Sequence, residues 1–521
     1  MKKLNVLFVT TELRGMASIG GLGEFVLSLS CALRMRGHDV RIVMPYYEYL
    51  NSGHRLDRTY PVWKGRLSPD HLPEAEVFVA VLTADGQHIP VYLIKGHSRF
   101  LEADSLDKIY APQDDPASYF YFCDAVLEFL SDENMTWCPD IIHCNDYHTG
   151  LIPVFLKYKF GGHIRQNKVK TFFTIHNLGF QGIASPEYLD YGGLPRFLGD
   201  YSPYFQGMEY YNRINCMKGA IIESDMCSTV SKTYAREIQT SRYGMGLEGV
   251  LTWKAEQGKL KGILNGIENA LWDPGRLGDF SFDAESLAGK WKAKTELRKR
   301  CGLENSDDPV IAFRSRWSPQ KGIELLSHAF RKYRIYQQAQ FVFVTRPEQN
   351  GPEYTGLWQE MKGWSVTYPR RISFEPDRTD ISGLQYAGSD MLIMPSIYEP
   401  CGLVSMEAMR YGVIVIASRT GGLADVVSRN GFTFDCGCRF PIDEGQRESG
   451  TRQMVQVIYQ ALRKYREKTG WNARVRHVMQ QDNSWETRIR EYLRNYRMLL
   501  NHSLVEIPEI PQSNILSVLP H

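Results

Sequence analysis

The sequence predicts an α/β protein of two domains, each built on a parallel sheet. Strand-like apolar runs alternate with amphipathic helical stretches from end to end. The pattern restarts near residue 270, after the turn-formers Asn265-Gly266-Ile267 and Trp272-Asp273-Pro274. Each half opens with an apolar strand that runs into a loop of glycines or charges ahead of a helix.

Taken in order, Asn5–Val9 reads as a buried strand, followed by a glycine loop and a helix from about Glu24. That helix places Phe25, Leu29, Ala32 and Leu33 on one face and stops at Gly37. Val40–Met44 is the next strand, then Glu76–Leu82, Ile89–Ile94, Ile141–His143, Val169–Ile175 and Met226–Val230. In the second half the strands are Val310–Phe313, Phe341–Val344, Ile372–Phe374, Met391–Met394 and Val413–Ala417. A helix carrying Ile323, Leu325, Leu326 and Phe330 follows the first of them. The expected division is 1–270, 271–484 and a terminal segment 485–521, whose Pro-rich stretch from Ile507 reads as extended. Open α/β sheets bind ligands beyond their strand C-termini, so two such domains facing each other place a site at the gap.

Composition excludes several classes. Lys and Arg total 61 against 59 Asp and Glu, a balance that argues against a dedicated nucleic-acid binder. No run approaches the roughly 20 apolar residues of a membrane helix. The apolar start Leu4–Thr11 ends at Glu12 and Arg14 with no small-residue cleavage site, as expected of a first strand and not of a signal peptide. The ten cysteines are scattered, with Cys436-Gly437-Cys438 the one close pair and no C-x-x-C, the pattern of reduced thiols in a cytoplasmic protein. There is no Asp-x-Asp and no cluster with metal-ligand spacing, so no metal or other cofactor is expected.

Four stretches carry chemistry. In Ser18-Ile19-Gly20-Gly21-Leu22-Gly23-Glu24, adjacent glycines let backbone N–H groups approach a ligand at a helix start; standing alone, the stretch reads first as a tight turn. Arg314-Ser315-Arg316 through Lys321-Gly322 closes a strand-to-helix turn, where Arg316 and Lys321 can converge on a phosphate. Pro395 through Gly412 sets Glu399 at a strand exit and Glu407 one to two turns into a helix that begins near Gly402. Thr420-Gly421-Gly422 starts another helix with another glycine pair.

These motifs, with H-C-N-D-Y-H-T-G-L, F-T-I-H-N-L-G-F-Q-G, I-L-N-G-I and Y-A-G-S-D-M-L-I-M-P-S-I-Y-E-P-C-G-L, occur in the order seen in bacterial glycogen synthases and plant starch synthases. The resemblance runs from residue 5 to about residue 488. It implies a GT-B fold, two facing Rossmann-like domains across a cleft with a C-terminal helix crossing back to the first. It also implies transfer of glucose from a nucleotide-glucose, usually ADP-glucose in this family, to the non-reducing end of an α-1,4-glucan, with retention and without a metal.

Carried over residue by residue, the resemblance gives Arg316 and Lys321 the distal phosphate and Glu399 the transferring glucose. His176 then hydrogen-bonds hydroxyls near the reacting carbon, and Asp146 and Asn265 help fix the sugar. Gly20 and Gly21 approach the phosphates, Cys401, Gly402 and Leu403 offer N–H groups at a helix start, and Thr420 sits nearby. Glu407 suits a ribose contact. Read from the residues alone, without the motif order, His176 reads first as a core histidine, and Asp146 as the cap of a helix starting at His148.

The sequence departs from the family in places. Ser18 stands where a lysine is usual, Glu24 replaces an aspartate, Asp377 replaces an aromatic that stacks on adenine, and Thr345-Arg346 replaces a glycine-rich turn. Arg14, four residues before Ser18, is the nearest substitute cation in that loop. These departures keep UDP-glucose open as the donor. They also keep open two alternatives: a related glycosyltransferase with another donor or acceptor, and a weakly catalytic homologue that binds glucan.

Overall fold

The structure, a computed structural model, describes residues 3–54, 59–110, 116–161, 169–194, 207–347, 352–376, 378, 381–439 and 441–501. Asp377 and the Pro-rich stretch from Ile507 lie outside them. The chain forms two compact units, one from residues 1–230, 235–265 and 485–521, the other from 231–234 and 266–484. Among the described residues no helix is long and apolar enough to cross a membrane.

The first unit is a nine-stranded sheet containing β1 (Asn5–Val9), β2 (Asp39–Pro45), β3 (Tyr60–Gly65), β4 (Ala75–Ala84), β5 (Gln87–Lys95), β6 (Ile141–Asn145) and β7 (Lys170–Ile175). A small three-stranded sheet of β8 (Ile183–Ala184), β9 (Glu209–Tyr210) and β10 (Arg213–Asn215) interrupts the chain before β11 (Met226–Thr229) and β12 (Leu260–Gly262). The order β12-β11-β7-β6-β1-β2-β5-β4-β3 puts β1 in the middle, with Val9 level with Val43 of β2 and Cys144 of β6. Val6, Leu7, Phe8 and Val9 are all buried, as a strand covered on both faces requires.

Helix α1 (Gly21–Arg34) starts a turn earlier than the apolar spacing suggested, and buries Phe25, Leu29, Ala32 and Leu33. The terminal helix Trp485–Asn501 packs on α1 and belongs to this first unit. Its Trp485 and Tyr492 meet the Phe25 ring at 5.8 and 5.9 Å, and its Tyr496 hydroxyl hydrogen-bonds His143 Nδ1 at 2.6 Å.

The sheet is not wholly parallel. β3, β4 and β5 run antiparallel at one edge. The β4–β5 connection is the dipeptide Asp85-Gly86, both left-handed at φ 48° and 70°, and so short a link cannot carry the chain back to a parallel position.

The second unit holds a six-stranded parallel sheet of β13 (Val310–Trp317), β14 (Gln340–Pro347), β15 (Ile372–Pro376), β16 (Met391–Met394), β17 (Ile414–Ser418) and β18 (Phe432–Phe434), ordered β15-β14-β13-β16-β17-β18. Helix α2 (Ile323–Tyr333) buries Ile323, Leu325, Leu326 and Phe330. α3 (Leu403–Arg410) follows β16, and α4 (Gly421–Val427) follows β17. Each sheet has one point where the chain changes direction of growth, between β1 and β6 in the first unit and between β13 and β16 in the second. Loops leaving those strands part there and open a crevice.

Candidate functional site

In the first unit, the loops after β1, β6 and β7 bring the expected residues together in two groups. Glu12, only 4% exposed, points its carboxylate into the glycine loop. It accepts the N–H groups of Ile19 at 2.7 Å and Gly20 at 2.8 Å, and the Ser18 hydroxyl at 3.4 Å. Gly20, expected to approach phosphates, therefore gives its N–H to the chain's own carboxylate, while Gly21 opens α1. Gly23 has to be a glycine, because a Cβ there would lie 2.4 Å from Ser18 Oγ. Arg14 is ion-paired with Glu24 at 2.8 Å, so the substitute cation for Ser18 and the replaced aspartate engage each other.

The second group is Asp146, His176 and Asn145. Asp146 has φ 56° and precedes the single turn Tyr147–Thr149, but its side chain makes no capping bond there; its Oδ1 accepts the N–H groups of His176 at 2.7 Å and Asn177 at 3.4 Å. Burial pushes its carboxyl up to about 7, with those two N–H groups pulling the other way. The half-buried His176 sets its ring Nε2 3.0 Å from Asn145 Oδ1 and meets the edge of Phe25 at 4.6 Å. Burial takes its imidazole down to about 3, so it is neutral at physiological pH. Asn265 lies beyond β12, is 2% exposed, and its Oδ1 has no hydrogen-bond partner among the described residues.

The raised Asp146 carboxyl has a measurable consequence. Its folded value exceeds the unfolded one of about 4, so ionising it costs folding energy that accumulates as pH rises from about 4 to 7. Asp146→Asn keeps the accepting oxygen and removes that cost. Its melting temperature relative to the parent should therefore climb between about pH 4 and pH 7 and level off above. A pH-independent difference between the two melting curves would show that no such ionisation is linked to folding.

In the second unit the loops after β13, β16 and β17 are bound to one another. β13 continues past Phe313 to Trp317, so Arg316 lies on the strand, level with Arg346 of β14. Lys321 Nζ pairs with Glu399 Oε2 at 2.6 Å, and Ser396 donates to the same oxygen at 2.9 Å. Backbone bonds fix the geometry: Ile397 N–H donates to Gln320 O at 2.9 Å, and Gly422 N–H to Glu399 O at 2.9 Å. The left-handed Gly322 sits so close to β16 that a Cβ would lie 1.9 Å from Pro395 O.

Cys401 and Gly402 lead directly into α3, which begins at Leu403, and in its first turn Ser405 N–H donates to Gly402 O at 2.9 Å. Glu407 stands in its second turn and accepts the Tyr386 hydroxyl at 2.7 Å. Thr420, 2% exposed, immediately precedes α4. Lys321, Glu399 and the α3 and α4 starts thus share one edge of the sheet.

A cavity of about 340 Å³ in the first unit is lined by Tyr119, Tyr147, Phe180, Gln181, Tyr210 and Met245 among others. It continues the loops that carry Asp146 and His176. Gln181 and Tyr210 both donate to Met245 O at 3.1 Å, and Phe180 is 54% exposed. Sequence reasoning missed this aromatic lining, which mixes four separate segments, and it missed Glu12, Asn145 and Arg346. A charge directly after a buried strand was the available signal for Glu12 and Arg346. Asn145, buried and uncharged, offered none.

Comparison with known proteins converges on one family. Residues 5–253 match the starch synthase catalytic domain, and residues 294–476 match glycosyl transferases group 1. A glycogen synthase of Geotalea uraniireducens is 35% identical over 520 residues, covering 95% of this chain and 99% of that protein. Glycogen synthase 2 of Geobacter metallireducens is 34% identical over 513 residues, covering 95% and 98%. The catalytic domain of starch synthase IV from Arabidopsis thaliana, solved bound to ADP and acarbose, superposes with a TM-score of 0.82 at 31% identity over 96% of this chain and 100% of that one. The ordered motifs, the two parallel-sheet units and these matches along nearly the whole length agree: the chain is a glycosyltransferase of GT-B fold and belongs to the glycogen and starch synthase family.

Proposed function

We propose that the protein transfers glucose from ADP-glucose to the non-reducing end of an α-1,4-glucan with retention of configuration. The observation that carries this reading is the Lys321–Glu399 pair, which ties the loop after β13 to the loop after β16 at the switch point of the second sheet, with Arg316 on β13 and α3 following β16. Glycosyl transfer needs charge neutralised on the departing diphosphate. Arg316 and Lys321 supply that charge, and the α3 start lies alongside. Glu399 releases Lys321 to the phosphate and takes hydroxyls of the transferring glucose. Asp146, His176 and Asn265 hold the sugar on the first unit, and Glu407 takes the ribose. The nucleotide diphosphate is already a good leaving group, so no pair of carboxylates flanking the bond is required, unlike in hydrolases. The ADP and acarbose named for the starch synthase IV structure support this choice of donor and acceptor class.

Purified protein incubated with glycogen or maltooligosaccharides and either ADP-glucose or UDP-glucose tests the reading. Nucleotide release with new α-1,4 linkages in the proton NMR spectrum is expected, faster with ADP-glucose. No elongation with either donor would reject it.

The aromatic cavity is assigned to the acceptor, because pyranose rings stack on aromatic faces while Gln181 and the Tyr hydroxyls meet their polar edges. Phe180→Ala should raise KM for maltooligosaccharides about tenfold, the worth of one stacking contact. The KM for the nucleotide-sugar should not move. Phe180 is more than half exposed, so folding is little affected, and melting measured alongside checks that.

A further inference from the structure

Asn145 ends β6 and is completely buried. Its Nδ2 group donates to Val9 O at 3.0 Å and to His143 O at 3.1 Å. Turned the other way, the amide would press its oxygen against both carbonyls, so only one orientation is satisfied. That orientation aims Oδ1 at His176 Nε2, 3.0 Å away. An amide oxygen accepts and never donates, so Nε2 carries the proton. The neutral ring then keeps a lone pair on Nδ1. Nδ1 has no hydrogen-bond partner among the described residues, and His176 is half-buried.

We infer that Asn145 is a positioning residue that locks His176 as the Nε2–H tautomer, so that His176 offers the sugar an acceptor, Nδ1, for a hydroxyl proton. This rests on the reading that a sugar binds beside Asp146 and His176. The surroundings suit it. Phe25 holds the ring edge-on at 72°, and Asp146 Oδ1 takes the His176 backbone N–H, fixing both ends of the residue. The titratable neighbours are Asp146 and His143. Burial is what keeps the His176 imidazole neutral, so the ring does not pass to an imidazolium, a form with no acceptor. The chain Tyr496–His143–Thr174–Ser228 runs through the same sheet with bonds of 2.6, 2.6 and 2.8 Å. It holds β6 and β7 in the register that brings Asn145 to His176.

The test uses the full-length protein labelled with ¹⁵N-histidine. Long-range ¹H–¹⁵N spectra report the tautomer of each ring, and the signals lost in His176→Gln identify this one. Nε2 protonated and Nδ1 bare across about pH 6 to 8 is expected. A protonated Nδ1, alone or in an imidazolium, overturns the inference. In the same spectra, ADP with glucose should move the Nδ1 signal toward that of a hydrogen-bonded acceptor, and an unmoved Nδ1 at saturation overturns it too. Asn145→Ala should give mixed tautomers and lower kcat about tenfold, the worth of one well-placed hydrogen bond, with KM for the nucleotide-glucose within about twofold. Mixed tautomers with unchanged kcat would again overturn the role. The tautomer is read without turnover. An inactive protein with Nε2–H on His176 therefore fails the synthase reading alone, and an active one with Nδ1–H fails this inference alone.

Discussion

Arg316→Ala should lower kcat by roughly 10²–10³, the usual loss when one preorganised donor is removed from a site of developing negative charge. Arg316 sits on β13 level with Arg346 and is only partly buried, so the fold should stay intact. Lys321→Ala should cost as much in rate but behave differently in stability. Its ammonium is 15% exposed and pairs with a Glu399 carboxylate that is 9% exposed. Removing one partner of a largely buried pair leaves the other charge uncompensated, which costs about 3–5 kcal/mol. Ser396 alone remains on that oxygen. Adding Glu399→Gln to Lys321→Ala removes the orphaned charge. The double variant should thus regain most of the stability and none of the activity. Denaturant unfolding and steady-state kinetics on the single and double variants separate the two roles. Turnover near the parent's in Arg316→Ala with unchanged melting would take that residue out of the phosphate site.

Gly322→Ala is expected to be strongly destabilising, and Gly437→Ala is its control. Both glycines have φ 66°, so each pays about 1–2 kcal/mol for holding a left-handed L-residue. At Gly437 a new Cβ meets nothing within 4 Å, whereas at Gly322 it lies 1.9 Å from Pro395 O. The collision must part the β13 and β16 loops, adding about 1–3 kcal/mol. It also strains the Ile397–Gln320 bond and draws Lys321 from Glu399. Gly322→Ala should therefore unfold at clearly lower denaturant than Gly437→Ala and lose activity where Gly437→Ala keeps it. Equal midpoints for the two would mean that the close approach at Pro395 does not bear on stability.

The parallel cores were legible because strands covered on both faces are almost purely apolar, as in Val6–Val9 and Ile414–Ile416. The antiparallel edge was less so. Glu76–Leu82 and Ile89–Ile94 read as strands, but their direction depended on the Asp85-Gly86 turn between them. β3 escaped notice because Tyr60, Pro61 and Val62 are exposed and carry no alternation, having no second face to cover. The glycine loops, Arg316, Lys321 and Glu399 stood out because glycines and charges directly after buried strands have few structural reasons to be there.

By itself the sequence determined the alternation of strand and helix, the restart near residue 270, the glycines at the helix starts and the ordered motifs that mark the family. All of these are local properties of composition and period. Only the tertiary structure decided which groups meet. Glu12 takes the Gly20 N–H, Asp146 takes the His176 N–H in place of capping a helix, Asn145 faces His176, and Lys321 reaches Glu399 across 78 residues of chain. The reason is sheet order. A parallel sheet sets the ends of strands far apart in sequence side by side, as β13 lies beside β16 and β6 beside β7. Hydrophobic periodicity records that a strand is buried, not which strand it lies against, so the partners of its loop residues appear only when the sheet is assembled.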